Sequence, residues 1–562
     1  MVLEAALLVF RHGQRSPYPW PGGDSAAGPS QWTTRPMPSI SAWNMTDEAF
    51  NNQWLSPHGK LLLNHMGAWF GQYFQDVNSC DDNQVVLVAD GSSFRDIQSA
   101  QNFAAGFFPA SCSAIRAAEV IATTESTFPL LYPLANDHAD TGCDGPSEEQ
   151  LELTYGGDVQ ALTSAYRPLI DRVGQLIGCC SPTVCAQYGL GRVNCSLSSL
   201  PTSFAGHYWR YYNGPLAVAA YFSDAFMLQA VSGLEPYAWG VRATWHPPPP
   251  LKSATWHSKQ LTCQAAHSCR SPTHLACACQ ELSQAELTQL YRLHQRVMWL
   301  GSSIASARAY ASHALAYLLT TLESIKLNAT NGGGASLLPP AVGGAPHRPR
   351  VLAVFGHDFN LLYLRQLLRV HWVTRSFDFD TATTGSSLAL ELHRFDHHGP
   401  ARTDGGTTTS GASADATSWR VIGRLTAASI GQQRNATPLV PPHAPPSIAT
   451  VLDMPYEQFK SLVLTAINTS CILDPLRTSI VAMQQVQEAA RPTPTTAAEV
   501  PPGSVTIPAA AAVGGCMGLL LVGCVCGVLL RMMLVQRTAP RKRMLEMTAV
   551  DGPAVSDDQP RV

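Results

Sequence analysis

Charge is what this sequence has least of. Only 14% of its 562 residues are Asp, Glu, Lys or Arg, and the formal net charge is -3. No long-range field therefore gathers nucleic acid, and recognition of any anion has to be local. Paired Cys-x-x-Cys arms are missing too. Cys263, Cys269, Cys277 and Cys279 cluster tightly without the spacing of a structural zinc site, so zinc stays only the competing reading of that cluster. Residues 1–10 (MVLEAALLVF) have neither a basic n-region nor a cleavage site. The N-terminus is read as incomplete, with the signal peptide missing from this sequence.

Apolar residues are plentiful. At 45% hydrophobic content the chain can bury a large core, arranged as one two-lobed unit or two domains. Fifteen cysteines are present, twelve of them before Val500: Cys80, Cys112, Cys143, Cys179, Cys180, Cys185, Cys195, Cys263, Cys269, Cys277, Cys279 and Cys471. An even, irregularly spaced set of this kind reads as disulfides formed in an oxidising compartment. N-x-S/T triplets at Asn44, Asn194, Asn328, Asn435 and Asn468 point to the same secretory route.

The stretch Val505–Leu530 carries no charge. At about 1.5 Å rise per residue it is long enough to cross a hydrocarbon core of about 30 Å, and it is expected to be a transmembrane helix. Arg531, Arg537, Arg541, Lys542 and Arg543 follow it, which places the tail 531–562 in the cytosol. The expectation is a single-pass type I membrane protein whose large N-terminal part is lumenal or extracellular. Residues 486–504, rich in Pro and Thr, read as a stalk.

Three short apolar runs stand out before the stalk: Ala5–Phe10, Val85–Ala89 and Val351–Phe355. Each ends at a polar cluster. Continuously apolar strands fit a sheet buried on both faces, with reactive groups at the strands' carboxyl ends. Helical patterns run over Gly59–Phe74 and Leu282–Ile325, while Asn331–Pro349 and Thr403–Ser418 read as surface loops. The fold class is α/β with a helical insertion. The expected division is a core over 1–135 and 301–485, with the mainly helical insertion at 136–300.

Directly after the first run comes Arg11-His12-Gly13-Gln14-Arg15-Ser16-Pro17. A histidine between arginines is by itself a common surface occurrence. At a strand terminus it gains meaning: Gly13 permits close backbone approach, and forked guanidinium donors match phosphate oxygens. The third run ends in Gly356-His357-Asp358-Phe359-Asn360, where Asp358 could equally be a helix cap. Arg95, in ADGSSFRDIQSA, sits at the mouth of the second run. Alone it would be read as solvated; the conjunction of the three is specific.

RHGQRSP, FRDIQSAQNFAAGFFP and FGHDFNLLYL together resemble the signatures of the histidine acid phosphatases, the long branch of the histidine phosphatase superfamily. Trp54 and Gly59 in WLSPHGKLLLNHMG, LQAVSGLEPYAWG and TGSSLALELHRF extend the likeness over nearly all of residues 5–475. Several stretches are most similar to the phytase and glucose-1-phosphatase members. The plan of ectodomain, stalk, span and tail is closer to lysosomal-type acid phosphatases, but no tyrosine follows Arg531 for a sorting signal.

The resemblance implies a phosphoglycerate-mutase-like α/β core with a helical cap. It implies that His12 is a nucleophile forming phosphohistidine, that Asp358 is the general acid, and that Arg11, Arg15, Arg95 and His357 clamp the phosphate. It implies no metal and no other cofactor, an acidic optimum, and small phosphomonoesters as substrates. It also implies the pairs Cys80 with Cys112, Cys143 with Cys471, and Cys185 with Cys195. The loop Tyr18–Asp24 and the residues after it hold no lysine or arginine until Arg35. A broad acid phosphatase is therefore favoured over a phytase. The rival readings are a mutase-like transferase and a non-catalytic cell-surface protein on the same fold.

Overall fold

The computed structural model describes residues 1–17, 32–33, 43–77, 79–80, 84–123, 143, 145–154, 158–191, 194–207, 210–234, 241–244, 280–331, 349–396 and 417–489. The expected span at 505–530, the tail, most of the stalk, the loop after Pro17, the cluster Cys263 to Cys279 and most of the two long surface loops lie outside them. Among the described residues no helix is long and apolar enough to cross a membrane.

Seven strands make one sheet: β1 (Val2–Arg11), β2 (Val85–Asp90), β3 (Ile121–Thr123), β4 (Val351–Gly356), β5 (Ser387–Asp396), β6 (Thr417–Ala427) and β7 (Ser447–Pro455). Their order is β7-β6-β5-β1-β4-β2-β3. The centre is parallel: Phe10 of β1 pairs with Phe355 of β4, which pairs with Ala89 of β2. β5, β6 and β7 run antiparallel along one flank. The three apolar runs are thus neighbouring strands, each somewhat longer than its apolar stretch.

Burial on both faces explains their continuous hydrophobicity. Ala5, Leu7 and Val9 of β1 face one cluster, together with Leu352 and Val354 of β4. Ala6, Leu8 and Phe10 face the other, together with Val85, Leu87, Ala89, Ala353 and Phe355. Phe10 stacks on Phe355 with ring centroids 4.6 Å apart and leans on Phe103 at 5.0 Å. Truncating such a fully buried ring to alanine costs about 3–5 kcal/mol.

Helices α1 (Pro57–Tyr73) and α2 (Phe94–Phe107) cover the Phe10 face. α1 starts two residues before Gly59, because Ser56 caps it by accepting from the Gly59 amide and Pro57 occupies the first turn. The opposite face is covered by helices from later in the chain. The apolar pattern over 282–325 proves to be two helices: α4 (Gln284–Gly301), following α3 (Pro215–Val231), and α5 (Ile304–Asn331). The chain breaks at Ser302 and Ser303, and Leu282 itself belongs to a short strand, Gln280–Ser283. α5 packs on the Leu7 face with α6 (Asp358–Leu368) and α7 (Tyr456–Ala466). α3 and α4 instead join helix Arg167–Ile177 in a separate core built on Ile170, Phe222, Phe226 and Leu290.

Two boundaries differ from expectation. Thr417 and Ser418, read as loop, open β6, where Trp419 and Val421 are buried. The first four residues assigned to the stalk, 486–489, end a helix spanning Leu476–Ala489. Disulfides join Cys80 to Cys112, Cys143 to Cys471 and Cys185 to Cys195, the three expected pairs, and a fourth joins the neighbours Cys179 and Cys180.

Candidate active site

Parallel register brings the three polar clusters to one place. Arg11 pairs with Gly356, and the His12 amide donates to the Gly356 carbonyl at 2.8 Å, so His12 and His357 leave adjacent strands side by side. Their rings lie 5.8 Å apart at 74°. Arg95 enters from the first turn of α2, just past β2. All six expected site residues, His12, Asp358, Arg11, Arg15, Arg95 and His357, converge there.

Gly59 makes the His12 loop fit. A Cβ on it would stand 2.2 Å from the Gln14 carbonyl oxygen, so only glycine lets α1 approach this closely. The Ser99 hydroxyl donates to the Arg95 carbonyl at 2.6 Å and accepts from the Gly13 amide at 3.0 Å, tying α2 to the loop.

His12 is 3% exposed. Its Nδ1 lies 2.8 Å from the Gly13 carbonyl, which can only accept, so Nδ1 carries the proton and Nε2 keeps its lone pair. Burial, then the positive charges of Arg95, Arg11 and Arg15, hold the imidazole well below the ordinary histidine range. The shift favours the neutral ring, with Nε2 unprotonated. That is the state a nucleophile requires.

Arg11 donates through Nη1 to the Ala382 carbonyl at 2.6 Å, and its Nη2 lies 3.0 Å from Asp358 Oδ2. Burial raises the Asp358 pKa, but Arg11, then His294 and His357, more than offset it, and the carboxyl sits below its ordinary value. The pairing with Arg11 therefore favours the ionised form of Asp358. Arg15 lies 3.9 Å from Asp224 on α3.

Five further groups complete the constellation. Asp90 accepts from His357 Nε2 at 3.0 Å, while Asp96 lies 3.8 Å from the same ring's Nδ1. Both carboxylates are in ADGSSFRDIQSA, where an Asp after a strand reads as an ordinary cap, and nothing local signals their burial. Asp96 is completely buried. Neither of its oxygens makes a hydrogen bond of normal geometry, not even to the adjacent Ser93 hydroxyl, and burial pushes its pKa up to about 6. Asp224, His294 and Tyr291 come from the helical lobe: His294 Nε2 is 3.7 Å from Asp224, and Tyr291 lines a small cavity together with Arg11 and Asp224. Asp224 did leave a signal, as the lone carboxylate inside the apolar helix PLAVAAYFSDAFMLQAV.

Asp90, Asp96 and His357 hold ligand atoms within 4.8 Å of one another, the one such group among the described residues. Each carboxylate is paired with a different nitrogen of the ring, and Arg95 lies 3.5 Å from Nδ1. The set suits orientation of His357 better than metal binding.

Solved structures share this fold. The phytase of Citrobacter braakii aligns with 84% of this chain and 100% of its own at a TM-score of 0.56 and 16% identity. The phytase of Hafnia alvei in complex with myo-inositol hexakis sulphate gives 0.55 and 16%, covering 84% and 98%. The phytase of Klebsiella sp. ASR1 gives 0.55 and 17%, also over 84% and 98%. No protein-family model matches the chain, and no curated protein matches its sequence.

Proposed function

We propose that this protein is a histidine acid phosphatase that hydrolyses phosphomonoesters through a phosphohistidine on His12. The observation that carries the reading is a neutral, buried imidazole with its Nε2 lone pair free, ringed by Arg11, Arg15, Arg95 and His357 with a carboxyl group beside it. The fold shared with phytases supports it.

The phosphate of the ester sits among the arginines and His357, and the arginines' fixed positive charge stabilises the equatorial oxygens as His12 Nε2 attacks phosphorus in line. The P–O ester bond breaks, and Asp358 gives its proton to the departing alkoxide. Water then attacks the phosphohistidine, Asp358 takes back a proton, inorganic phosphate leaves and neutral His12 is regenerated.

Asp358 has to be protonated for the first step, although its pairing with Arg11 favours the ionised form. An incoming phosphate resolves the conflict: it takes over Arg11 and sets a negative charge beside the carboxyl, both of which raise the Asp358 pKa. Activity therefore peaks at acidic pH. Water as acceptor distinguishes this hydrolase from a mutase, which would hand the phosphoryl group to an organic hydroxyl.

We place the catalytic unit in the lumen of the secretory pathway or at the cell surface, anchored by residues 505–530. The disulfides and the uncharged stretch support that placement. The test of the activity is hydrolysis of p-nitrophenyl phosphate by purified full-length protein from pH 3 to 8 without added metal. Acid-optimal turnover that is lost in His12→Ala is the expected result. A folded protein inactive on a broad phosphomonoester panel overturns the reading in favour of a non-catalytic surface protein.

A further inference from the structure

The substrate class can be narrowed if the phosphatase reading, on which this inference rests, holds. Asp358, paired with Arg11 of the clamp, also lines a pocket formed by α4, α6 and residues 379–382. The alkoxide that Asp358 protonates departs on this side, so whatever the phosphate is esterified to has this pocket to enter.

The walls are mostly apolar: Tyr291, Met298, Trp299, Leu362 and Phe379. Phe379 stands at the rim, 58% exposed, as an aromatic surface that water covers poorly. No lysine or arginine lines the pocket among the described residues. The guanidinium groups around it are already engaged: Arg11 with Asp358, Arg365 with Asp380, Arg292 with Asp378, and Arg296 over the Trp299 ring at 4.1 Å. His294, which does line it, is buried and held below the ordinary histidine range. A second phosphate entering here would meet no unengaged lysine or arginine among the described residues and would face the carboxylates of Asp358 and Asp380. It would lose its hydration without compensation.

We propose that this pocket receives the leaving group, and that the preferred substrates carry one phosphate on an apolar alcohol. Selection works in two directions. Trp299, Met298 and Phe379 take up apolar surface, and the lack of free cations among the described lining residues turns away polyphosphorylated alcohols.

The test compares benzyl phosphate, ethyl phosphate and inositol hexakisphosphate on the full-length protein. The first two are alkyl esters of similar intrinsic reactivity, so their ratio isolates the ring. Burying a ring predicts a kcat/KM for benzyl phosphate about 10- to 100-fold above ethyl phosphate, with inositol hexakisphosphate the poorest. Phe379→Ala and Met298→Ala should each shrink the benzyl-to-ethyl ratio several-fold, chiefly through KM; the ratio within one variant cancels any general loss of activity. Equal rates on the two alkyl esters, or a preference for inositol hexakisphosphate, overturn the pocket assignment and leave the phosphatase standing. Should none of the three be hydrolysed, the phosphatase reading fails. Calorimetry with benzylphosphonate and ethylphosphonate then decides the pocket separately: tighter binding of the benzyl compound retains it as an apolar ligand site, and equal binding removes it.

Discussion

Asp96 is a carboxylate in a place that water cannot reach, and Asp96→Asn turns that into a measurement. Its pKa moves from an ordinary 3.8 to about 6, first because burial penalises the charge. His357 and Arg95 recover only part of that penalty. A raised folded-state pKa means that the group favours folding most below pH 3.8 and that this contribution is lost as pH rises through 6. At about 1.4 kcal/mol per pH unit, ionised Asp96 costs the folded protein about 3 kcal/mol at pH 7. Asparagine keeps the shape and removes the charge. Denaturant unfolding from pH 4 to 8 should show the variant gaining about 2 kcal/mol on the parent between pH 4 and pH 7, since part of the effect has already set in at pH 4. A gain that is the same at both pH values would refute the assignment, since a packing change has no reason to follow the titration of a carboxyl group.

Three other substitutions probe separate parts of the account. Asp358→Asn should slow ethyl phosphate about 10²- to 10⁴-fold but p-nitrophenyl phosphate far less, because a nitrophenolate departs with little protonation; equal losses would contradict the general-acid role. Asp224→Asn leaves Arg15 without the carboxylate 3.9 Å away, and steady-state kinetics should show a rise in KM for phosphoesters of several-fold or more with a smaller change in kcat. Cys471→Ser opens the Cys143 link, which closes a separation of 328 residues. Denaturant titration should register a loss of about 2–5 kcal/mol, reproduced by mild reductant.

The catalytic strands were legible because of their burial on both faces. Ala5–Phe10, Val85–Ala89 and Val351–Phe355 carry uninterrupted apolar residues, and each gained its terminal residues only from pairing with neighbours. The six site residues were legible because each follows one of those strands at a glycine, a histidine or an arginine in short range. Asp90 and Asp96 escaped notice within the very segment that supplied Arg95. Whether an aspartate caps a turn or is sealed beneath a histidine depends on what packs over it, here β4 and α6 from more than two hundred residues away. Tyr291, His294 and Asp224 face the site from another lobe, and no spacing along the chain encodes that approach. The break at Ser302 and Ser303 was hidden because apolar residues continue on both sides of it, serving different cores.

The central claim is a covalent one, so the most direct measurement is the mass of the trapped intermediate. Full-length protein mixed with a phosphomonoester at pH 5 and quenched within milliseconds into alkaline denaturant should yield one phosphoryl group on the peptide holding His12, lost after brief acid treatment and absent from His12→Ala. Turnover that persists in His12→Ala, or a phosphoryl group found on another side chain, would contradict the account.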